Sequence, residues 1–361
     1  MARSMARSTA RRDLAWIAAG FLALQLGLAL AIDQFWPQFR DPAYHHKLTR
    51  LRSLLANSDV PPRSIVFLGS SRTGFGLQAG RLSQHLNGSL GERAVFFNFG
   101  MPGAGPVVEF LSLRRLLADG VRPAAVWIEI VPMFLAGQAT APSELDRFPS
   151  PRFRRDELDL LTRYGGASQR QRDWWLAWPA AWHAHRFEIL SELMPSWVPL
   201  ALRQNWTAGN DSWGWGTIVE LQRTSESQRR AIESERAAYF GYFLDFQFSE
   251  PACAAMRDAL TLCRDERVPA VLYFMPESAE FRSWYPPGML AAIDQFAADL
   301  SAQFAVPIVD ARGWIADDQF SDGHHLLPSG AAAFTDRLAS DPVFRAAAGF
   351  GAPSTFTAQR P

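Results

Sequence analysis

Three residues of this sequence have the types and the settings that nucleophilic catalysis requires. Ser71 follows an apolar run and a glycine, whereas Asp322 and His325 stand three positions apart near the other end of the chain. A serine hydroxyl is a poor nucleophile unless a base lies within hydrogen-bond reach and a third group orients that base. We therefore predict that His325 takes the Ser71 proton and that the Asp322 carboxylate fixes the tautomer of the imidazole.

Attack on an acyl carbonyl also requires donors for the negative charge that develops on its oxygen. The backbone amides of Ser71 and Gly103 are the candidates, because both stand on glycine-bearing turns where the chain can approach a substrate closely. Arg72 adjoins the serine, and Asn98 opens the second glycine turn. We therefore include Arg72 and Asn98 with Gly103 as predicted oxyanion or substrate-binding residues.

Each of these residues also has an ordinary structural interpretation. Ser71 could cap the helix that follows its strand, and Asp322 could be a turn residue before Gly323. The joint occurrence of serine, aspartate and histidine at strand ends favours the catalytic interpretation. His324 lies outside the Asp-x-x-His spacing, so it is interpreted as a surface group or a neighbour of the site.

The elements that must position these residues are short apolar runs separated by helical segments. Strands are predicted at 64–68, 94–99, 124–131, 269–274 and 306–309. Apolar strands that alternate with helices are typical of a parallel sheet covered on both faces, so we predict an α/β protein, a three-layer α/β/α sandwich with five parallel strands. Ligands bind at the carboxyl ends of such strands, and Ser71, the turn at Gly103 and the loop before His325 all follow predicted strands.

Glu129 is a charged residue inside the third predicted strand. A buried carboxylate needs a partner, because desolvating an unpaired charge is costly. Pairing with Arg72 and a simple position near the end of the sheet are both open interpretations.

The N-terminus has the order of residues that is typical of a membrane anchor. Four arginines precede an apolar run at 14–32 that only Gln25 interrupts. Nineteen residues span roughly 28 Å as a helix, close to the thickness of the hydrocarbon core of a bilayer. We predict a cytoplasmic basic tail at 1–13, a transmembrane anchor at 14–32 and a body outside the cytoplasm. A cleaved signal peptide, with a cleavage site near 29–31, or a twin-arginine export signal would also place the body outside.

The rest of the chain divides into a stalk, a domain in two parts, an insertion and a tail. We predict the stalk at 33–62, the two parts of the α/β domain at 63–136 and 249–345, a helical insertion or cap at 137–248 and the tail at 346–361. The insertion holds eight of the thirteen tryptophans. They could form a core stripe, a sugar-stacking platform or a contact with a membrane or a membrane partner. Mixed charges at 229–236 predict a solvated helix face.

Composition excludes several classes of function. Lys plus Arg equals Asp plus Glu at 36 each, so no overall positive field would attract a nucleic acid.

Cys253 and Cys263 stand about 15 Å apart along one predicted helix, too far for a disulfide, so both are predicted to be free buried thiols. The sequence shows no metal-ligand constellation or phosphate-binding loop, and we expect no cofactor.

These motifs resemble those of the SGNH, or GDSL-like, hydrolase superfamily over about residues 63–135 and 251–340. Residues 69–71, Gly-Ser-Ser, match its first block and place Ser71 at the nucleophile. The turn at 98–103 matches its second block and places Gly103 at the oxyanion position, and Asp322 with His325 matches its last block. The resemblance implies the SGNH, flavodoxin-like form of the sandwich.

The third block of that superfamily, Gly-x-Asn-Asp, has no counterpart, because residues 131–134 are Val-Pro-Met-Phe. Loss of the asparagine donor corresponds to roughly 2.7–4 kcal/mol of transition-state stabilisation unless another group replaces it. Arg72, or an asparagine or tryptophan of the insertion, could supply that donor.

The Gly-Ser-Ser-Arg variant, the missing asparagine and the N-terminal anchor together resemble one subset of the superfamily. That subset comprises anchored proteins of bacterial envelope polymer acylation, similar to those of alginate O-acetylation and teichoic acid D-alanylation, which work beside a membrane-bound O-acyltransferase. The resemblance implies a single-pass protein of the bacterial inner membrane, with a cytoplasmic N-terminus and a periplasmic or extracellular catalytic domain. It also implies O-acetyl transfer through an acyl-Ser71 intermediate to a cell-envelope or exported polysaccharide. A carbohydrate or lipid esterase of the same fold and a non-catalytic envelope assembly or scaffold protein are the alternatives.

Overall fold

The structure is a computed structural model that describes residues 2–56, 62–87, 94–137, 143–165, 168–217 and 224–349. Parts of the predicted stalk (57–61), insertion (138–142, 166–167 and 218–223) and tail (350–361) lie outside the described residues. The chain forms two compact units, of which the first comprises Met1–His46 and Pro149–Trp206 and the second comprises Lys47–Phe148 and Thr207–Pro361. The predicted insertion is therefore divided, and its middle part belongs to the first unit.

The described residues contain helices and strands in regular alternation within the second unit. The helices are α1 (Ala2–Gln34), α2 (Pro42–Ala56), α3 (Ser71–Gly76), α4 (Ala79–Asn87), α5 (Pro106–Ala118), α6 (Glu144–Arg147), α7 (Leu158–Tyr164), α8 (Ser168–Ala177), α9 (Ala181–Leu193), α10 (Ser225–Phe243), α11 (Glu250–Asp265), α12 (Ala279–Arg282), α13 (Met289–Phe304), α14 (Pro328–Ser340) and α15 (Pro342–Ala347). The strands are β1 (Arg63–Leu68), β2 (Ala94–Asn98), β3 (Ala125–Glu129), β4 (Ala270–Phe274) and β5 (Ile308–Asp310).

The second unit is built on one five-stranded sheet with the strand order β2-β1-β3-β4-β5. All neighbouring strands are parallel, and Ile65 of β1 pairs with Phe96 of β2 on one side and Ala125 of β3 on the other. The chain proceeds outwards from β1 in both directions, so the winding of the sheet reverses beside β1. Open α/β sheets bind ligands at the carboxyl ends of the strands at such a reversal. The predicted α/β class and the five parallel strands are confirmed.

The predicted bounds of the strands agree with the structure to within one residue, except at the end of the third strand and the start of the last, which differ by two. The third was expected to reach residue 131, but β3 ends at Glu129 because the chain turns into a 3-10 helix at Pro132–Leu135. The last was expected at 306–309, whereas β5 begins at Ile308. Pro307 has no amide to donate, although its carbonyl accepts from the Leu272 amide at 3.0 Å.

Helices cover both faces of this sheet. On one face, Phe67 and Trp127 join a core cluster with side chains of α4, α14 and α15, and the Trp127 ring lies 5.1 Å from the ring of Phe344. On the other face, α5 packs against α11, and α11 packs against α13. Cys253 and Cys263 of α11 are buried free thiols, as predicted. The second unit is thus a three-layer α/β/α sandwich.

Lys47, the only lysine in the sequence, is completely buried in the second unit. Its ammonium group donates to the carbonyl oxygens of Asn98 at 2.9 Å and Gly214 at 2.5 Å. Burial, together with the nearby charge of Arg50, lowers the pKa of Lys47 from 10.5 to about 7. Lys47 therefore ties α2 and the loop at 207–217 to the end of β2.

The first unit contains the apolar N-terminal helix. Among the described residues, one segment, Ala10–Gln34 of α1, is long and apolar enough to cross a membrane, with a mean hydropathy of 2.0. Only 17% of the residues in an apolar stretch of 18 within this segment are buried. The segment thus meets the length and composition requirements of a single membrane span.

The C-terminal part of α1 packs against the region of α8 and α9. The Trp182 amide donates to the side-chain oxygen of Gln25 at 2.9 Å, and the Trp178 indole donates to the Asp33 carboxylate at 3.2 Å. Trp174 of α8 is buried and its indole donates to a backbone carbonyl, as expected of a core tryptophan. The other tryptophans of this region are at least partly exposed, so they do not form one continuous core stripe.

Candidate active site

Ser71 is the first residue of α3 and lies directly beyond the carboxyl end of β1. The preceding Ser70 caps the helix, because its hydroxyl accepts from the Arg72 amide at 3.1 Å. A Cβ at Gly69 would lie 2.5 Å from a carboxylate oxygen of Glu129, so this turn requires glycine. The capping role considered for Ser71 thus belongs to Ser70, which leaves the Ser71 hydroxyl free for another partner.

The structure brings Ser71, His325 and Asp322 together, although 254 positions separate the serine from the histidine. His325 Nε2 lies 2.8 Å from Ser71 Oγ, and His325 Nδ1 lies 2.8 Å from Asp322 Oδ2. The other carboxylate oxygen accepts from the His325 amide at 2.9 Å, which fixes the turn. An ionised carboxylate can only accept, so Nδ1 carries the proton and the Nε2 lone pair faces the serine hydroxyl. This is the geometry in which an imidazole can remove a serine proton.

The charges of this group keep the Asp322 carboxylate ionised and stabilise the protonated form of His325. Burial opposes ionisation of Asp322, but the charges of His325 and His324 outweigh it and hold the pKa of Asp322 well below its usual value. Burial would lower the pKa of His325, yet the Asp322 charge and hydrogen bond raise it above its usual value. Burial and the charge of His325 lower the pKa of His324 well below its usual value. Of the two histidines, His325 therefore keeps its proton to the higher pH.

Asn98 braces the serine-bearing helix from inside and does not face a substrate. Its amide nitrogen donates to the carbonyls of Thr73 at 2.7 Å and Leu77 at 2.8 Å, and its oxygen accepts from the Gly100 amide at 2.9 Å. The side chain is completely buried. The prediction that Asn98 contacts the oxyanion or substrate is wrong, because its hydrogen bonds join the second glycine turn to α3.

Arg72 also points inwards. Its guanidinium is 2% exposed, lies 3.0 Å from the Glu277 carboxylate and 3.7 Å from that of Glu129, and donates to the Met275 carbonyl. Glu129 in turn accepts from the amide and the hydroxyl of Ser70. The pairing of Glu129 with Arg72 is thus present, and it supports the turn before Ser71. The predicted contact between Arg72 and a substrate is absent, because its ion pairs with buried carboxylates hold the guanidinium in the interior.

The backbone amides of Ser71 and Gly103 are both unengaged. Neither donates a hydrogen bond to any residue that the structure describes. Gly103 has a φ of +74°, in the left-handed region that favours glycine. Gly100 anchors this turn against α3, because a Cβ there would lie 2.8 Å from the Ser70 carbonyl. Gly103 and Ser71 therefore keep the free donors that the prediction requires.

Arg147 lies between Phe134 and the turn at Gly103. Its guanidinium stacks 5.2 Å from the centre of the Phe134 ring, and a Cβ on Gly103 would lie 3.3 Å from its side chain. Arg147 is exposed, unlike Arg72. The sequence offers no local signal for this contact, because α6 begins the insertion and meets the turn at Gly103 only through tertiary packing.

Glu144 holds α6 in this place. Its carboxylate accepts from the amides of Gly105 at 2.6 Å, Val107 at 3.0 Å and Val108 at 2.7 Å, which are otherwise unpaired groups at the start of α5. Burial raises the pKa of Glu144 to about 7, even though these three amides oppose the rise. Arg147 therefore extends from a helix that is bound directly to the start of α5, just after the second glycine turn.

His324 is enclosed by side chains from α10 and α12. Its ring lies 5.2 Å from that of Tyr239 and 4.9 Å from that of Phe281, and its exposed fraction is 2%. Glu235 lies 3.9 Å from His324 Nε2, and burial together with the Asp322 charge raises its pKa. His324 is thus a buried neighbour of the site rather than a surface group. The predicted solvated face at 229–236 includes Glu235, which instead approaches the histidines.

Asp322, His324 and His325 also have ligand atoms within 4.8 Å of one another, close enough to hold a metal ion. However, Asp322 and His325 already bond to each other, and the second His325 nitrogen bonds to Ser71. This donor set therefore fits a proton relay to serine better than an ion site.

No family model matches the chain, and no curated protein matches its sequence. Among solved structures, the chain is similar to one described as a "putative acylhydrolase" from Bacteroides fragilis, with 10% identity and a TM-score of 0.36. The match covers 84% of this chain and 98% of that one.

Proposed function

We propose that this protein is a membrane-anchored serine acyltransferase that works through an acyl-Ser71 intermediate. The observation that carries the proposal is the hydrogen-bonded series from Asp322 through His325 to the Ser71 hydroxyl, with both distances at 2.8 Å. Transfer in preference to hydrolysis rests on the resemblance of the motif set to envelope acylation proteins. An esterase would use the same residues with water as the acceptor.

In the proposed reaction, His325 Nε2 takes the hydroxyl proton as Ser71 Oγ attacks the acyl carbonyl. The amides of Ser71 and Gly103 donate to the resulting oxyanion. The bond from the carbonyl carbon to the leaving group then breaks, and His325 gives its proton to that group. An acceptor hydroxyl next loses its proton to His325 and attacks the acyl-serine, so that the ester passes to the acceptor and the proton returns to Ser71 Oγ.

The proposed location follows from the N-terminal helix. Arginines precede the apolar part of α1, and such residues are enriched on the cytoplasmic side of a membrane. The body would then lie in the periplasm or outside the cell, where a membrane-bound O-acyltransferase could deliver acyl groups and a polysaccharide could accept them.

The fate of the acyl group, either transferred to a sugar hydroxyl or released to water, tests the proposed reaction. The purified full-length protein is treated with p-nitrophenyl acetate, and the acetylated peptide is located by mass spectrometry. We expect one acetyl group on Ser71, and we expect soluble oligosaccharides to speed its loss and to become acetylated. Acetate as the sole product would identify an esterase.

Ser71→Ala should not be acetylated, and Ser329→Ala is its matched control, because Ser329 is an exposed serine at the start of α14. This variant should be acetylated like the wild type. Acetylation at sites other than Ser71, equally in all variants, would contradict the serine mechanism and favour a scaffold.

Arg147 is proposed to replace the missing asparagine as the donor near the oxyanion. Arg147→Met should therefore lower kcat for ester cleavage by about 10²-fold with little change in KM, as loss of one oxyanion donor does. Arg147→Lys should retain part of the rate. Arg236→Met, at another exposed arginine, is the control. A raised KM with unchanged kcat would instead assign Arg147 to substrate binding, and unchanged values of both would remove it from the site.

A further inference from the structure

The first unit exposes large apolar side chains near the helix that could span a membrane. We call residues 174–206 the aromatic segment. Its Trp197, Leu200 and Trp206 are 72%, 80% and 58% exposed, and Trp175 and Trp182 are 48% and 44% exposed. So many exposed aromatic and aliphatic side chains in a short segment mark an interaction surface.

The length of α1 indicates what this surface contacts. Arg11 and Arg12 place one boundary of the hydrocarbon core near residue 14, so residues 14–24 span roughly 16 Å of the roughly 30 Å required. The next residues must span the remainder. Yet Gln25 is 8% exposed and Ile32 is completely buried, because the aromatic segment packs on this part of α1. If α1 crosses a bilayer, the aromatic segment must enter it as well.

We propose that the aromatic segment lies in the leaflet on the side of the protein body, at the boundary between phospholipid headgroups and acyl chains. The first unit would then be held by one crossing helix and by a segment embedded from one side. This inference rests on the proposed membrane anchor and is independent of the proposed acyl chemistry.

The chemistry of the segment suits this boundary. Tryptophan is favoured there, because its ring is apolar and its indole N–H can meet water or headgroups. The segment contains two arginines and two glutamates, so its attraction to lipid should be apolar and insensitive to headgroup charge. The Arg155 guanidinium, 5.7 Å from the Trp175 ring, can reach phosphate while its stem stays beside the indole.

The test places one reporter cysteine at a time on the full-length protein in phosphatidylcholine vesicles. Trp197→Cys and Leu200→Cys probe the segment, Leu22→Cys probes the anchor, and Ser329→Cys is the aqueous control. Each carries a nitroxide label whose collisions with oxygen and with a soluble nickel complex are compared. Burial raises the pKa values of the native Cys253 and Cys263 to about 11 and about 12, so these thiols should stay unlabelled at neutral pH.

We expect the ratio of oxygen to nickel collisions at positions 197 and 200 to exceed that at 329 several-fold, as at position 22. Ratios at 197 and 200 equal to that at 329, with position 22 in lipid, would overturn this inference alone. An aqueous position 22 would overturn the anchor and the inference together. Labels at 197 and 200 could also be exposed to water in vesicles but shielded from both reagents in native membranes. That result would overturn the proposal and indicate that a protein partner covers the aromatic segment. Ester cleavage, measured separately on the same variants in detergent, shows whether the acyl chemistry stands.

Discussion

Replacing Ser71 by alanine should lower kcat/KM for activated esters by at least about 10³-fold, with no acyl-enzyme detectable. The alanine removes the hydroxyl oxygen that lies 2.8 Å from His325 Nε2, on the side of the ring away from Asp322. Without it, the imidazole has no nucleophile to activate, and only water held by the remaining donors can attack. Single-turnover release of p-nitrophenol by the purified protein measures this loss.

Residues that act as one unit show non-additive losses, which provides the control. The double variant Ser71→Ala/His325→Gln should be no slower than either single variant. Thermal unfolding should show that each variant remains folded, because both side chains lie at the edge of the sheet and not in the core cluster. Additive losses would mean that serine and histidine act separately, contrary to the mechanism.

Replacing Asp322 by asparagine should lower kcat/KM by about 10⁴-fold and change its dependence on pH. An asparagine amide can donate to His325 Nδ1, which favours the tautomer with its proton on Nε2, directed at Ser71. That tautomer cannot accept the serine proton. The loss is measured as a pH profile of kcat/KM for wild type and variant, with unfolding followed in parallel.

The sign of the pH effect follows from the raised pKa of His325. The base must be neutral, so wild-type activity should fall as pH decreases through a pKa above the usual histidine value. In Asp322→Asn the larger of the two negative charges that raise this pKa is gone and only the smaller effect of Glu235 remains, while burial and the Arg72 charge still lower it. The acidic limb of the residual activity should therefore move to lower pH. If the acidic limb of the pH profile does not move in the variant, the group that titrates there is not His325.

The fold was predictable because the strands are local apolar runs that end at glycine or proline. Runs such as 64–68 and 94–99 form β1 and β2 in a parallel sheet. The carboxyl ends of parallel strands meet at one edge, so the residues after β1 and those before α14 could be expected near each other. The meeting of Ser71, Asp322 and His325 is a consequence of that topology.

Other parts of the site depend on tertiary contacts that leave no pattern in the sequence. An asparagine after a strand can face a ligand or the interior, and Asn98 faces inwards because the carbonyls of α3 need a donor. Arg72 turns inwards because Glu129 and Glu277 are both buried beneath α3. Arg147 reaches the site because Glu144 binds the start of α5, and that contact joins segments about 40 residues apart.

The burial of Lys47 protects its amine from unwanted acylation by activated esters. A protein that handles such compounds exposes its own amines to them, and a lysine amide, once formed, is not reversed by the serine mechanism. Here the one lysine is enclosed, and its ammonium is committed to two carbonyl oxygens. In the proposed reaction, this enclosure would keep the lysine amine from intercepting an acyl group on its way to a hydroxyl acceptor.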